Sequence, residues 1–145
     1  MIAKVKERLE CLRETLLRPI NPAVIVVLGI YTVVWGLWIM SPFWTVFPHS
    51  AAYAIMAEYG TEYLWGSIAV CAGAIIVRGA LKPVYWNIEI GSWVSFFFWL
   101  AIAILFCAGD WHTTGWLSAA CFSIYSGLIW LNIRFNREYF GGGKN

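Results

Sequence analysis

Long apolar runs separated by short polar segments dominate the pattern of this chain. A helix rises about 1.5 Å per residue, so about 20 apolar residues cross a bilayer core of about 30 Å. Four runs have that length. The sequence therefore predicts an all-α membrane protein, a four-transmembrane-helix bundle with spans at about 22–40, 62–81, 90–109 and 113–133.

Helix start and stop signals bound the first two spans. Asn21 before Pro22 predicts a helix start, because asparagine caps free amides and proline fits the first turn. The Ser-Pro pair at 41–42 and the Lys-Pro pair at 82–83 predict the ends of the first and second spans. Proline disfavours helical geometry in the residue before it, so neither helix is expected to continue.

The remaining boundaries rest on capping residues and on one glycine. Asn87 is the expected cap of the third span, and Asp110 or Thr113 that of the fourth. The segment before the second span has two interpretations. Residues 51–59 form a short interfacial helix broken at Gly60, or one long tilted helix runs through into the span.

The first 20 residues have a different pattern. Apolar residues recur there at steps of three and four, with charged residues between them: Ile2, Val5, Leu9, Leu12, Leu16 and Ile20. This spacing predicts a cytoplasmic amphipathic helix over 1–20, which lies flat on the membrane or packs on a partner helix. Residues 21–140 then form the membrane domain, and 141–145 a flexible glycine-rich tail.

Composition narrows the class of protein. The chain is 61% hydrophobic and 12% charged, with a mean hydropathy of +0.68, whereas soluble domains are about 45–50% apolar and about 25% charged. A water-soluble fold of this size would lack the polar surface to cover itself. The composition excludes a soluble globular enzyme, a disordered chain and a nucleic-acid binder.

The basic residues predict the orientation of the chain. Of its 10 Lys and Arg residues, five precede the first span, two join the second to the third, and three follow the fourth. All of them fall on one side of a four-span topology. Because Lys and Arg concentrate in cytoplasmic loops, both termini are expected to face the cytoplasm from the cytoplasmic (inner or plasma) membrane.

Catalytic signatures are absent from the sequence. No ionisable residue lies near the centre of a span, which argues against a coupled transporter. There is no P-loop, no G-x-S-x-G and no H-E-x-x-H motif. The four cysteines are dispersed, three of them lie in apolar stretches, and they are expected to be buried, inert thiols. We therefore expect no enzyme activity and no cofactor.

A small polar group falls on the outer side of the predicted topology, and its members are His49, Glu58, Glu62, Asp110 and His112. Such residues are weak candidates for a divalent metal site or a pH-sensitive contact. The alternative is that outer loops simply require polar residues. A continuous helix would place the two glutamates on one face, and a break at Gly60 would separate them.

Small residues recur at helical spacing in three spans. They are Gly29 and Gly36 in the first, Gly66, Ala69 and Gly73 in the second, and Ala119, Ser123 and Gly127 in the fourth. Such faces let helix backbones approach closely in lipid. They predict packing within the bundle or, alternatively, a face for self-association or for a partner's helix.

The fourth span also carries a weakly polar stripe of Ser118, Phe122 and Ser126. A ring of such helices could line a narrow pore. The alternative is that the hydroxyl groups return to backbone carbonyls of their own helix.

The turn between the second and third spans carries three charges, Arg78, Lys82 and Glu89. An interfacial ion pair that pins the turn is the expected role, and a gating contact is the alternative.

These features lead to one functional expectation and two alternatives. The chain is expected to be a small non-enzymatic membrane protein that self-associates and perturbs or permeabilises the cytoplasmic membrane, similar in size alone to holins and membrane-acting effectors. The first alternative is an accessory or assembly subunit of a larger membrane complex. The second is an outer-face ligand or metal sensor. The expected partners are the lipid bilayer and a second copy or another membrane protein.

Overall fold

The fold was obtained as a computed structural model that describes residues 20–43, 45–82 and 84–136. Within these residues the chain has five α-helices and no strand, and we number the helices in order: α1 (Pro22–Ile39), α2 (Ala51–Tyr59), α3 (Glu62–Leu81), α4 (Tyr85–Gly109) and α5 (Gly115–Phe135). A 3₁₀ turn, Phe47–His49, precedes α2.

Four of these helices, α1, α3, α4 and α5, are long and apolar enough to cross a membrane. The predicted all-α, four-span fold is therefore confirmed. The amphipathic helix predicted over 1–20, apart from its last residue, and the tail predicted at 141–145 lie outside the described residues.

The first and second spans begin at side-chain caps. The Asn21 Oδ1 atom accepts a hydrogen bond from the amide of Ala23 at 2.9 Å, as the sequence predicted. The Thr61 hydroxyl oxygen accepts one from the amide of Leu64 at 3.3 Å at the start of α3. These bonds satisfy amides that have no carbonyl partner inside the helix.

The third span starts earlier than the apolar pattern indicates. Helix α4 begins at Tyr85 rather than at residue 90, with Val84 at the cap position. The amide of Asn87 already donates to the Val84 carbonyl at 3.0 Å, so Asn87 lies in the first turn and the prediction that it caps the helix was wrong. Helical hydrogen bonding continues through polar residues at the membrane interface, where hydropathy falls.

The start of the fourth span also differs from the prediction. Helix α5 begins at Gly115, and Thr114 at its cap position makes no side-chain capping bond. The Asp110 Oδ1 atom instead accepts a hydrogen bond from the amide of His112 at 3.1 Å, and the Thr113 hydroxyl donates to the Asp110 carbonyl at 2.9 Å. The two residues predicted as caps, Asp110 and Thr113, therefore stabilise the connecting turn instead. Their local hydrogen bonds compete with capping of the helix.

Helix α2 is a separate element. The backbone at Gly60 is extended, with φ 171° and ψ 169°, and its amide bonds the Met56 carbonyl at 3.2 Å as the helix ends. The Trp65 indole N–H donates to that same carbonyl at 3.2 Å. The alternative of one long helix running from residue 51 into the second span was therefore wrong.

The spans pack as neighbours in chain order. Helix α3 packs between α1 and α4, α4 packs on α5, and α2 packs on α4, whereas α1 and α5 hardly meet. Short connections make α3, α4 and α5 antiparallel neighbours in chain order. Helices α1 and α3 are neighbours across the longer segment 40–61, which contains α2.

Two buried clusters fill the interior. The cluster at the α2 end is aromatic: Trp35 packs edge-on against Phe98 and Trp99 with ring centroids 5.6 and 5.1 Å apart. The cluster at the opposite end is aliphatic and consists of Ile25, Leu28, Ile76, Ile88, Ile129 and Ile133.

Candidate functional site

The small residues of the first and second spans form a close crossing inside the bundle. A Cβ atom added to Gly73 would lie 2.5 Å from the carbonyl oxygen of Gly29, and one added to Gly29 would lie 3.0 Å from that of Gly73. Gly36 and Gly66 form a second reciprocal pair, at 2.6 and 2.7 Å. Ala69 is fully buried beside the second pair. These glycines are therefore covered within the chain.

The small face of the fourth span is also covered within the chain. Ala119 is 2% exposed, and a Cβ atom added to Gly127 would lie 2.9 Å from the ring of Phe96. The Ser123 hydroxyl donates to the Phe96 carbonyl at 3.0 Å. Neither small face is available to a second chain in this arrangement.

The serine stripe of α5 does not form one exposed face. Phe122 stacks on Tyr31 with ring centroids 4.2 Å apart. The buried Ser126 hydroxyl donates to the Phe122 carbonyl at 2.8 Å and lies 3.2 Å from the Ser95 hydroxyl. Ser118 is exposed, and its hydroxyl donates to the Thr114 carbonyl at 3.3 Å. The hydroxyls of Ser118 and Ser126 thus return to their own helix.

One polar link crosses the aromatic interior. The Trp99 indole N–H donates to the Thr32 hydroxyl oxygen at 3.3 Å, and this hydroxyl donates to the Leu28 carbonyl at 2.9 Å. Within the described part of the chain, the Ser92 hydroxyl is the buried side-chain polar atom that has no hydrogen-bond partner. The link joins α1 to α4 in a region where lipid offers no competing water.

The polar residues of the outer group do not converge. Glu58 is exposed on α2, and the extended backbone at Gly60 separates it from Glu62 on α3. Asp110 accepts from the amide of His112 within its own turn. Across the described residues, no three His, Cys, Asp or Glu side chains lie together as a metal site, and the side chain of His49 is outside that description.

Glu62 has a role that the sequence analysis missed. Its Oε1 atom accepts hydrogen bonds from the amides of Val46 and Phe47 at 2.6 and 2.8 Å. The carboxylate thereby holds the loop before α2 on the first turn of α3, a position that favours negative charge. The available signal was an acidic residue in a predicted first turn, but its partners lie 15 and 16 residues away.

Tyr53 of α2 lies among aromatic rings at the α2 end of the bundle. Its ring stacks on Phe47 with centroids 5.7 Å apart and meets Phe106 edge-on at 4.7 Å. Burial, with a smaller contribution from Tyr31, raises the pKa of Tyr53 from 10.0 to about 12. Tyr53 is therefore a neutral packing residue at ordinary pH.

The opposite end of the bundle carries the turn between α3 and α4. Arg78 and Lys82 are both exposed, and the Lys82 amide donates to the Arg78 carbonyl at 3.1 Å. Glu89 lies half-buried within α4. The ion pair expected of Glu89 with these cations stays a prediction.

The recesses lined by described residues include three on the surface of the bundle. The first, of about 250 Å³, lies at the Asn21 end and is bounded by α1, α4 and α5. The second, of about 460 Å³, lies between α1 and α3. The third, also of about 460 Å³, lies between α1 and α5, the two helices that hardly meet.

No protein-family model, curated protein or solved structure matches this chain.

Proposed function

We propose that this chain is a non-enzymatic, multi-pass protein of the cytoplasmic membrane that self-associates and thereby perturbs the membrane. The observation that carries this proposal is the α1–α5 groove. It is lined by Val24, Val27, Leu28, Tyr31, Cys121, Phe122 and Tyr125. In the proposed orientation both termini face the cytoplasm, so reporters of sidedness fused to either terminus should both report that side.

Among the described residues, no helix covers the aromatic surface of this groove. Tyr31 of α1 and Tyr125 of α5 remain 40% and 38% exposed in the groove. The ring of Tyr31 stacks on that of Phe122, and these two rings form the aromatic floor. Apolar burial gives little drive in lipid, so association depends on shape and close packing. A recess with a rigid aromatic floor supplies shape that a smooth helix surface lacks.

A second copy is the occupant that we propose for the groove. A two-fold interface needs one patch that offers both a recess and a projecting side chain. Val27, 65% exposed, projects from the α1 wall, and Ile124, 62% exposed, from the neighbouring face of α5. Two facing copies can insert these side chains into each other's groove. The resulting particle carries two copies of the amphipathic segment predicted over 1–20, and we assign the membrane perturbation to that segment.

Cys121 permits a direct test, since it lines the groove and is exposed. Cys71 and Cys107 are exposed elsewhere and provide matched controls, so the prediction that these thiols are buried was wrong. We would prepare three proteins, each keeping one of these cysteines with the other cysteines changed to serine, and oxidise them in lipid nanodiscs. Cross-linked dimers are expected with Cys121 alone. Equal cross-linking of all three, or a monomeric particle mass at every protein-to-lipid ratio, would refute the proposed interface.

Membrane perturbation is tested by dye release from liposomes. Val27→Trp overfills the groove and should lower both dimer fraction and release. Ile104→Trp on α4, where the native side chain is 60% exposed, is the control and should leave both unchanged. Full release by the Val27 variant with no dimer would separate perturbation from self-association and overturn the proposal.

An accessory role in a larger complex is the second candidate, and Trp93 favours it. Trp93 is 46% exposed, lies edge-on against Phe97, and is eight residues into the 25-residue α4. This places it about 12 Å along the helix, within the hydrocarbon layer. Its indole N–H has no acceptor among the described residues, and hydrocarbon offers none. A partner's helix could supply one, so Trp93→Phe should weaken retention of a stoichiometric partner without changing dimer formation.

A further inference from the structure

The groove between α1 and α3 combines an apolar wall with two cations. It is lined by Ile30, Val33 and Val34 from α1 and by Ala74, Val77, Arg78, Leu81 and Lys82 from α3. Its volume of about 460 Å³ falls within the range of about 300–1,000 Å³ that is typical of small-molecule sites.

The glycine crossing explains why this groove exists. Gly29 and Gly73 bring the two helix backbones into contact, so the larger side chains on either side cannot interdigitate fully. Ala74, next to the crossing, is small and exposed and leaves the groove open at that point. Four of the lining residues are β-branched, and such residues hold their χ1 angles in a helix: Ile30, Val33, Val34 and Val77.

The groove has the length of one lipid leaflet. From Ala74 to Lys82 the helix rises by about 12 Å, close to half of the bilayer core of about 30 Å. Its apolar end therefore lies near the bilayer centre and its charged end at the headgroup level. An acyl chain lying parallel to the helices matches both the depth and the apolar lining.

The two cations lie at the headgroup end. Arg78 and Lys82 are four residues apart, so they share one face at the end of α3. Both are exposed. The guanidinium binds phosphate with two parallel hydrogen bonds, and the ammonium adds a point charge.

We propose that the α1–α3 groove binds an anionic phospholipid from the leaflet at the Arg78 end of the bundle. One acyl chain lies against the wall formed by Ile30, Val34 and Ala74. The phosphate group contacts Arg78 and Lys82. This site is independent of self-association, because the α1–α5 groove lies on another face of α1.

Native mass spectrometry of the full chain in neutral detergent tests the site. The probes are phosphatidylglycerol and phosphatidylcholine with identical acyl chains. Each Lys or Arg near a membrane surface favours anionic lipid enough that two together predict about a 30-fold preference for phosphatidylglycerol. Arg78→Gln with Lys82→Gln should reduce that preference to nearly onefold.

Two control variants separate a shaped site from diffuse charge. Arg134→Gln removes an exposed cation at the same end of the bundle, on α5, and should leave the preference unchanged. Ala74→Leu keeps both cations but fills the groove, and should weaken phosphatidylglycerol binding about tenfold. Val34→Trp fills it from the opposite wall and should do the same, with folding of each variant checked by circular dichroism.

Three results would overturn the proposal. The first is an unchanged phosphatidylglycerol preference in the Arg78 and Lys82 double variant. The second is an equal loss in the Arg134 variant, which would reduce the effect to the net charge of that end. Normal phosphatidylglycerol binding by both folded groove-filling variants would likewise show that no acyl chain occupies the groove.

Discussion

Replacing Gly73 by alanine tests whether backbone contact holds the first two spans together. The new Cβ atom would lie 2.5 Å from the carbonyl oxygen of Gly29, and 2.8 and 2.9 Å from Cγ2 and the amide nitrogen of Val33. Ordinary contact begins near 3.4 Å. The α1 backbone must therefore retreat by about 0.9 Å, because neither a carbonyl nor an amide can rotate away as a side chain does.

The expected cost follows from overpacking of a tight interface. Inserting one methyl group where the neighbours cannot move costs about 1–3 kcal/mol. The helix itself gains about 1 kcal/mol from Gly→Ala. Two of the three clashing atoms belong to the backbone, so we expect the overpacking cost to lie in the upper part of that range, about 2–3 kcal/mol. After the helix gain is subtracted, the expected net loss in the free energy of unfolding is about 1–2 kcal/mol.

Unfolding in mixed micelles with rising dodecyl sulfate, followed by tryptophan fluorescence, measures this loss. Gly127→Ala is the matched control, because its Cβ would meet the Phe96 ring at 2.9 Å, a side chain that can rotate. The control should stay within about 1 kcal/mol of the parent protein. A Gly73 variant as stable as the Gly127 variant would refute the backbone-contact reasoning.

A double variant tests the reciprocity of the contact. Gly29→Ala and Gly73→Ala push the same two helices apart, so their combined cost should fall below the sum of the single costs. Strictly additive costs would instead indicate that the two glycines act at separate places.

Three further outcomes are expected. Glu62→Gln weakens two charge-assisted hydrogen bonds and should accelerate deuterium exchange of the Val46 and Phe47 amides about tenfold. Glu58→Gln, at an exposed position, should leave their exchange unchanged. Equal exchange rates in the two variants would contradict the role assigned to Glu62. Trp99→Phe should lower the free energy of unfolding by about 1 kcal/mol. Thr32→Val should cost less stability in the Trp99→Phe protein than in the parent, because the hydrogen bond between the two residues is already lost there. Fully additive costs would contradict a shared hydrogen bond. Because burial raises the pKa of Tyr53 from 10.0 to about 12, the unfolded chain ionises first, so stability is complete below pH 10 and falls as pH rises toward 12. Tyr53→Phe should reduce that alkaline loss, measured by the same dodecyl sulfate titration; an unchanged profile would contradict the assignment.

The helices and most of their ends were predictable because their causes are local. The Pro22 start needs only a capping asparagine and a proline, and the second span extends over Glu62–Leu81 as predicted. The errors at Asn87 and Thr113 share one reason. Several polar residues near a helix start can each bond either the helix or the adjacent turn, and tertiary packing decides between them.

The candidate sites were predictable only as types of residue. Glycine and alanine at helical spacing indicated close packing, but the spacing is identical for a contact within the chain and for one between chains. Likewise, the polarity of Ser126 could not indicate whether its hydroxyl faces a lumen or the Phe122 carbonyl. Which partner each side chain meets depends on how its helix is rotated about its own axis, and the spacing along the sequence does not specify that rotation.

The sequence by itself determined the number of helices long and apolar enough to span a membrane and their approximate limits, because hydrocarbon forces each span to satisfy its own backbone. Only the tertiary structure decided which faces meet. It paired Gly29 with Gly73, joined Trp99 to Thr32, placed the Glu62 carboxylate on a distant loop and left the α1–α3 and α1–α5 grooves open. These features depend on side-chain volumes meeting across helices, which no segment of the chain contains alone.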